Sequence, residues 1–218
     1  MCGIFGGYNI DFAETEKGIN LINRGNDGIT ISELSEKTFF AARRHAIKFS
    51  GNEKNLSGNS DQPYYSDDKN IALIFNGEFY NFSEYKDDLI KQKINFKTEG
   101  DTEVLLKLYE KSGINFLRDK KIDSLYSIAI HDKKLDKIFI SRDWPGRIPL
   151  YYYHEKGRFI FSSELKAFRA INNLSLQDPI ELEPGKIIEY DIEKDELNVI
   201  SNYDLQPYIS KNNNDILK

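Results

Sequence analysis

A chain of 218 residues corresponds to one large domain or two small ones, at roughly 150 residues per domain. Its 39% hydrophobic and 30% charged residues are those of a soluble globular protein, and a net charge of -5 leaves no basic footprint for nucleic acid. A single cysteine excludes an intrachain disulfide, and the spacing of Cys2, His45, His131 and His154 fits no zinc-ligand pattern, so no metal is expected.

Residues 2–8, C-G-I-F-G-G-Y, read as a short strand in which glycine allows close backbone approach. Residues 13–23 read as a helix with Ile19 and Ile22 toward the core and Gly25 as a stop. Strands are expected at Thr38–Phe49 and Ile71–Phe75, and residues 50–70, rich in Gly, Asn, Ser and Asp, read as a loop between them. A helix over 83–93 takes Ser83 as its N-cap and sets Tyr85 and Leu89 on one face. The next helix starts near Asp101 or Thr102, carries the stripe Val104, Leu105 and Leu108, and stops at Gly113. Strands follow at 124–131, 137–142, 149–154 and 158–162, joined by short turns that imply antiparallel hairpins. A short helix at 163–171 precedes a last hairpin, G-K-I-I-E-Y-D-I and L-N-V-I-S-N-Y. The fold class is α+β, with helices packed on antiparallel sheet. No linker composition divides residues 1–205, and the polar residues 206–218 read as a tail or the start of a linker.

The N-terminus lacks a charged segment followed by an apolar run, and no stretch reaches the ~18 apolar residues of a membrane span. A cytoplasmic location without membrane partners is therefore expected.

Cys2 follows the initiator methionine, so cleavage of Met1 puts a thiol and an α-amine on one residue. At an α-amine pKa of about 7.7–8.0, roughly a tenth to a fifth of it is neutral at pH 7. A neutral amine beside the thiol can accept its proton and replace a histidine base. On position alone, a small buried hydrophobe at a strand start is the stronger reading.

The wider pattern changes that weighing. The chain carries M-C-G-I-F-G at its start, R-G-N-D-G at 24–28, F-N-G-E-F-Y-N at 75–81 and G-D-T-E-V-L-L at 100–106. It continues with S-R-D-W-P-G-R-I-P-L-Y-Y at 141–152 and F-S-S-E-L-K-A-F at 161–168. In order and spacing these segments resemble the class II glutamine amidotransferase domain of asparagine synthetases, a branch of the N-terminal nucleophile hydrolases. The resemblance implies an αββα four-layer sandwich with two antiparallel sheets between helix layers, and it calls for no cofactor.

It also implies roles for residues. Cys2 is the nucleophile, and Asn76 and Gly77 form the oxyanion hole; read as a dipeptide alone, Asn-Gly is a common hairpin turn. Arg44 is the clamp on the glutamine α-carboxylate, since guanidinium matches carboxylate bidentately; otherwise it is a surface arginine. Asp101 partners the substrate α-ammonium, against a local reading as helix N-cap. Glu78 adds charge for the same ammonium, and Ile47 and Lys48 line the pocket through backbone groups, or else are plain strand residues.

Some positions depart from the family's common pattern. Asn26 stands where R-G-P-D-G has proline, Pro145 and Ile148 alter the R-D-x-F-G-x-K-P-L-Y-Y run, and His45-Ala46-Ile47 replaces L-S-I. The chain carries neither the S-G-G-x-D-S pyrophosphate loop of asparagine synthetases nor G-x-x-x-x-G-K-[ST], so an ATP-using synthetase domain or separate subunit is the expected partner. Two rivals stand beside the glutaminase reading: an N-terminal-cysteine amidohydrolase of another amide, and a non-catalytic sensor or docking domain on the same fold.

Overall fold

The computed structural model describes residues 1–45, 62–174 and 179–201. In chain order they form β1 (Gly3–Tyr8), α1 (Phe12–Leu21), β2 (Gly28–Ser35), β3 (Thr38–Arg44), β4 (Tyr64–Tyr65), β5 (Ile71–Phe79), α2 (Phe82–Lys91) and α3 (Asp101–Ser112). After a 3-10 turn at Gly113–Arg118 come β6 (Ser124–Asp132), β7 (Lys137–Arg142), β8 (Tyr151–Glu155) and β9 (Arg158–Ser162). A second 3-10 turn, Leu165–Ala170, leads to β10 (Ile180–Glu181), β11 (Lys186–Asp191) and β12 (Glu196–Ser201).

The strands make two six-stranded sheets, ordered β10-β8-β9-β1-β3-β2 and β12-β11-β7-β6-β5-β4, in which every pairing is antiparallel. Side chains alternate between the two faces of a strand. Ile4, Phe40, Ile74, Ala129, Ile140, Phe161 and Tyr190 meet between the sheets. Phe5 and Phe39 point the other way, onto Ile19 of α1, Ile22 at its C-cap and Phe168 of the second 3-10 turn. Leu73, Phe75, Ile128 and Ile130 likewise meet Val104, Leu105 and Leu108 of α3. The central strands are thus buried on both faces, which is why β1 and β5 read as near-continuous apolar runs. The layering is the expected αββα sandwich, with α1 and the 3-10 turn on one sheet and α2 and α3 on the other. Each buried Ile or Phe contributes roughly 1.5–3 kcal/mol to holding a helix on its sheet.

Several local expectations change. The edge strand β2 is not visible in the pattern, because only Leu34 of its residues is buried and the rest show no clear alternation. The stretch expected to be loop at 50–70 contains β4, only two residues long, while 50–61 lie outside the described residues. Ser83 does not cap α2: the cap position is Asn81, whose side chain instead spans to the Lys121 carbonyl and the Asp123 N–H, each at 2.9 Å. The cap of α3 is Gly100, and Asp101 is the first helical residue. One oxygen of its carboxylate accepts the Phe79 N–H at 3.2 Å and the other accepts from Thr102 Oγ1 at 3.3 Å. An unforeseen capping box, Asp11 with Glu14, starts α1 and is worth about 1 kcal/mol. The helix expected at 163–171 is the 3-10 turn, braced by Ser162 Oγ donating to the Glu164 carbonyl at 3.0 Å.

Candidate active site

Cys2 sits at the mouth of β1, a central strand with β3 on one side and β9 on the other. Two sets of bonds fix it there. On the β3 side, the His45 N–H donates to Cys2 Sγ at 3.3 Å. On the β9 side, the Ile4 N–H donates to Ser163 Oγ at 3.0 Å, and the Ser163 N–H returns to the Ile4 carbonyl at 2.9 Å. Ser163 is fully buried, so the F-S-S-E-L segment anchors the strand that carries the thiol.

The R-G-N-D-G segment is a turn packed on the end of β3. Arg43 Nε and Nη1 donate to the carbonyls of Gly25 and Ile22, both at 2.8 Å. Gly25 has φ +68°, and a Cβ there would lie 2.2 Å from the Arg43 carbonyl oxygen, so glycine is required. The Asp27 N–H donates to the Arg44 carbonyl at 3.0 Å, and its carboxylate lies 3.3 Å from His45 Nδ1. Arg24 pairs with Glu164 at 2.9 Å, tying this turn to the 3-10 segment. Burial pushes the Glu164 carboxyl up, but Lys166 and Arg24 together hold it below its ordinary value.

These elements enclose a cavity of about 120 Å³ whose walls include Cys2, Asp27, Thr30, Arg43, Arg44 and Gln62. The thiol and Arg44 thus share one pocket. Gln62, which the sequence did not single out, reaches from this pocket to the other sheet. Its Nε2 donates to the Phe75 carbonyl at 2.9 Å and its Oε1 accepts the Phe75 N–H at 2.7 Å. The residue it clamps immediately precedes Asn76.

Asn76 and Gly77 lie inside β5, not in a hairpin turn; they face Ser127 and Tyr126 of β6. Asn76 is fully buried, and neither its Nδ2 nor its Oδ1 has a partner among the described residues. A Cβ on Gly77 would lie 2.0 Å from the Leu125 carbonyl oxygen, so β6 approaches here as only glycine allows. Glu78 follows in the same strand. Burial pushes the Asp101 carboxyl above its ordinary value, against the Phe79 N–H and with help from the negative charge of Glu78. Asn76, Gly77, Glu78 and Asp101 form a second group, on β5 and α3, connected to the Cys2 pocket through Gln62. Ile47 and Lys48 lie outside the described residues. Among the described residues no group of three His, Cys, Asp or Glu side chains is arranged to hold a metal ion, and no helix is long and apolar enough to cross a membrane.

The family described as glutamine amidotransferase domain matches residues 1–190. The chain belongs to that family. The chain is 36% identical over 175 residues to asparagine synthetase (glutamine-hydrolyzing) 2 of Bacillus subtilis, covering 77% of this chain and 22% of that protein. It is 34% identical over 179 residues to asparagine synthetase B of Escherichia coli, at 77% and 30% coverage, and 40% identical over 176 residues to the Zea mays enzyme, at 77% and 28%. The chain therefore spans less than a third of the length of these relatives. It is a class II glutamine amidotransferase domain of the asparagine synthetase type. Among solved structures, the PRPP amidotransferase of B. subtilis with ADP and GMP superposes at TM-score 0.70, with 21% identity and coverage of 93% of this chain and 49% of that one. A second, an allosteric regulatory enzyme of purine biosynthesis, superposes at TM-score 0.72 with the same identity and coverage. At that identity the likeness concerns the fold, which is that of the N-terminal nucleophile hydrolases.

Proposed function

We propose that this amidotransferase domain releases ammonia from the side-chain amide of glutamine through a thioester on Cys2. The observation that carries the reading is one cavity shared by a thiol at the chain terminus and the guanidinium-bearing Arg44. Arg44 takes the substrate α-carboxylate, and Asp101 with Glu78 takes the α-ammonium, so both ends of an amino acid are matched in charge.

Met1 is 59% exposed, so its removal takes nothing from the core. The freed α-amine accepts the thiol proton as Sγ bonds to the amide carbon. The carbonyl oxygen becomes an oxyanion held by Asn76 Nδ2 and the Gly77 N–H. The C–N bond then breaks, the amine returns its proton to the leaving group, and ammonia departs. Water attacks the resulting γ-glutamyl thioester, giving glutamate and the free thiol. Each hole donor is worth about 2.7–4 kcal/mol in the transition state. None of these steps needs a metal or an organic cofactor.

Ammonia is mostly protonated near pH 7, and ammonium is a poor nucleophile. The product is therefore handed to an ATP-using synthetase domain or subunit docked on this one. The B. subtilis, E. coli and Zea mays relatives are named as glutamine-hydrolysing asparagine synthetases or asparagine synthetase B, which supports such a pairing. A single catalytic thiol works best in a reducing compartment, which is why the reading places the protein in the cytoplasm. The test is glutamate release from free glutamine. Wild-type protein should release it and Cys2→Ala should not, while both unfold alike; activity on acyl amides but not on glutamine would contradict the reading.

A further inference from the structure

Asn76 belongs to a row. It faces Ser127 directly across β5 and β6, and Ser127 faces Arg142 directly across β6 and β7. The neighbours two residues away on the three strands, Ile74, Ala129 and Ile140, all belong to the core between the sheets. Asn76, Ser127 and Arg142 therefore project from one face of one sheet into that interior. Asn76 and Ser127 are fully buried and Arg142 is 6% exposed.

Buried polar atoms nearly always find partners, and an exception asks for an explanation. Among the described residues this row holds four such exceptions side by side: Asn76 Nδ2, Asn76 Oδ1, Ser127 Oγ and Arg142 Nε. Three of the guanidinium's five N–H groups are committed. Arg142 Nη1 donates to the Glu181 carboxylate at 2.7 Å and the Leu182 carbonyl at 2.8 Å, and Nη2 donates to the Gly146 carbonyl at 2.6 Å. The cation is held through its Nη atoms, and Nε is the guanidinium atom left without a partner among the described residues.

We propose that Ser127 is a positioning residue for the oxyanion hole, relaying a hydrogen-bond chain from Arg142 to Asn76. Directly opposed residues hold their Cβ atoms about 4.5–5.5 Å apart, so a small change of rotamer or one bridging water joins groups that make no direct bond as they stand. Arg142 Nε–H donates to Ser127 Oγ. Ser127 Oγ–H donates to Asn76 Oδ1. The amide is then fixed with its oxygen inward and its Nδ2 toward the substrate carbonyl, the orientation the hole requires. Every bond in the chain points the same way, from a cation toward a developing anion, so each donor polarises the next. An asparagine free to flip would present its carbonyl oxygen to the oxyanion half the time, and repel it.

This inference rests on the glutaminase reading and on Asn76 in the hole, and the kinetics separate the two. An oriented amide matters in the transition state more than in substrate binding. Ser127→Ala should therefore lower kcat about tenfold, a fraction of the hundredfold or more expected for loss of the donor itself, with KM for glutamine changed less than about twofold. Ser127→Thr, which keeps the hydroxyl, should restore kcat relative to Ser127→Val, which has its shape without it. In an Asn76→Ala background, Ser127→Ala should cost nothing further. A wild-type kcat in Ser127→Ala, equal kcat for the Thr and Val variants, or a loss that multiplies onto Asn76→Ala would each overturn the relay. Should Ser127→Ala fail to fold, the Thr and Val pair decides. Loss of activity in Asn76→Ala without any in Ser127→Ala would overturn the relay and leave the glutaminase reading standing; a wild-type protein inert toward glutamine would overturn both.

Discussion

Gly77→Ala is the sharpest perturbation of the proposed hole that touches no side chain. The added Cβ would lie 2.0 Å from the Leu125 carbonyl oxygen, 2.8 Å from Tyr126 Cα and 3.0 Å from Leu125 C, all backbone. Ordinary contact begins at 3.4 Å, so β5 and β6 must part by about 1.4 Å at this point. No flexible side chain is available to absorb the move. Overpacking of this kind costs about 1–3 kcal/mol of stability, which for a chain of this size lowers the melting temperature by roughly 2–4 °C per kcal/mol. The larger effect is on turnover. Asn76 and the Gly77 N–H move with the strand, and a displacement near 1 Å costs about a hundredfold in rate. Glutamate release and thermal unfolding measured on the same preparation separate the two effects. Gly28→Ala is the stability control, because a Cβ there meets nothing within 4 Å. Wild-type turnover in Gly77→Ala would refute both the close approach of β6 and the placement of the hole at this residue.

Asn76→Ala should lower kcat by roughly a hundredfold or more with KM little changed; steady-state kinetics showing unchanged turnover would remove Asn76 from the hole. Arg44→Ala and Asp101→Asn should raise KM for glutamine more than they lower kcat, since they bind substrate in ground and transition states alike. Burial raises the Asp101 carboxyl, so KM should climb as pH falls through that raised value, and Asp101→Asn should flatten the climb. His131 is fully buried, and burial pushes it from an ordinary 6.5 down to about 4. Between those values the unfolded chain takes a proton that the folded chain refuses, so the stability is complete above pH 6.5 and falls as pH drops toward 4, by up to about 3 kcal/mol. Denaturant titrations from pH 7 to pH 4 should show that loss, and His131→Phe should reduce it.

Where apolar residues repeat with a clear period, the fold was legible. The stripe of α3 and the runs of β1, β6 and β7 all lie where the pattern puts them. The misses have local causes. Residues 28–35 form an edge strand with a single buried side chain, Leu34, and so carry little burial signal. Asn-Gly, a strong turn signal by itself, was overridden by pairing along the whole of β5 with β6. Asp101 lost the cap to Gly100 because its carboxylate is engaged by the Phe79 N–H, 22 residues away. In the candidate site, Cys2 and Arg44 could be named from motif and position, and the cavity holds them both. Gln62 carries no motif; its importance lies in two bonds to a backbone thirteen residues on. The roles proposed for Ser127 and Arg142 rest on register, which motifs read one strand at a time do not contain.

The central claim is a thiol made reactive by its own α-amine, and one labelling experiment addresses it most directly. Active protein is treated with diazo-oxo-norleucine, a glutamine-like electrophile, with and without glutamine as competitor. It is then digested and mapped by mass spectrometry. The account predicts one modified peptide whose first residue is Cys2, with Met1 gone, and protection by glutamine. Label on another residue, or fully active protein that still carries Met1, would contradict it.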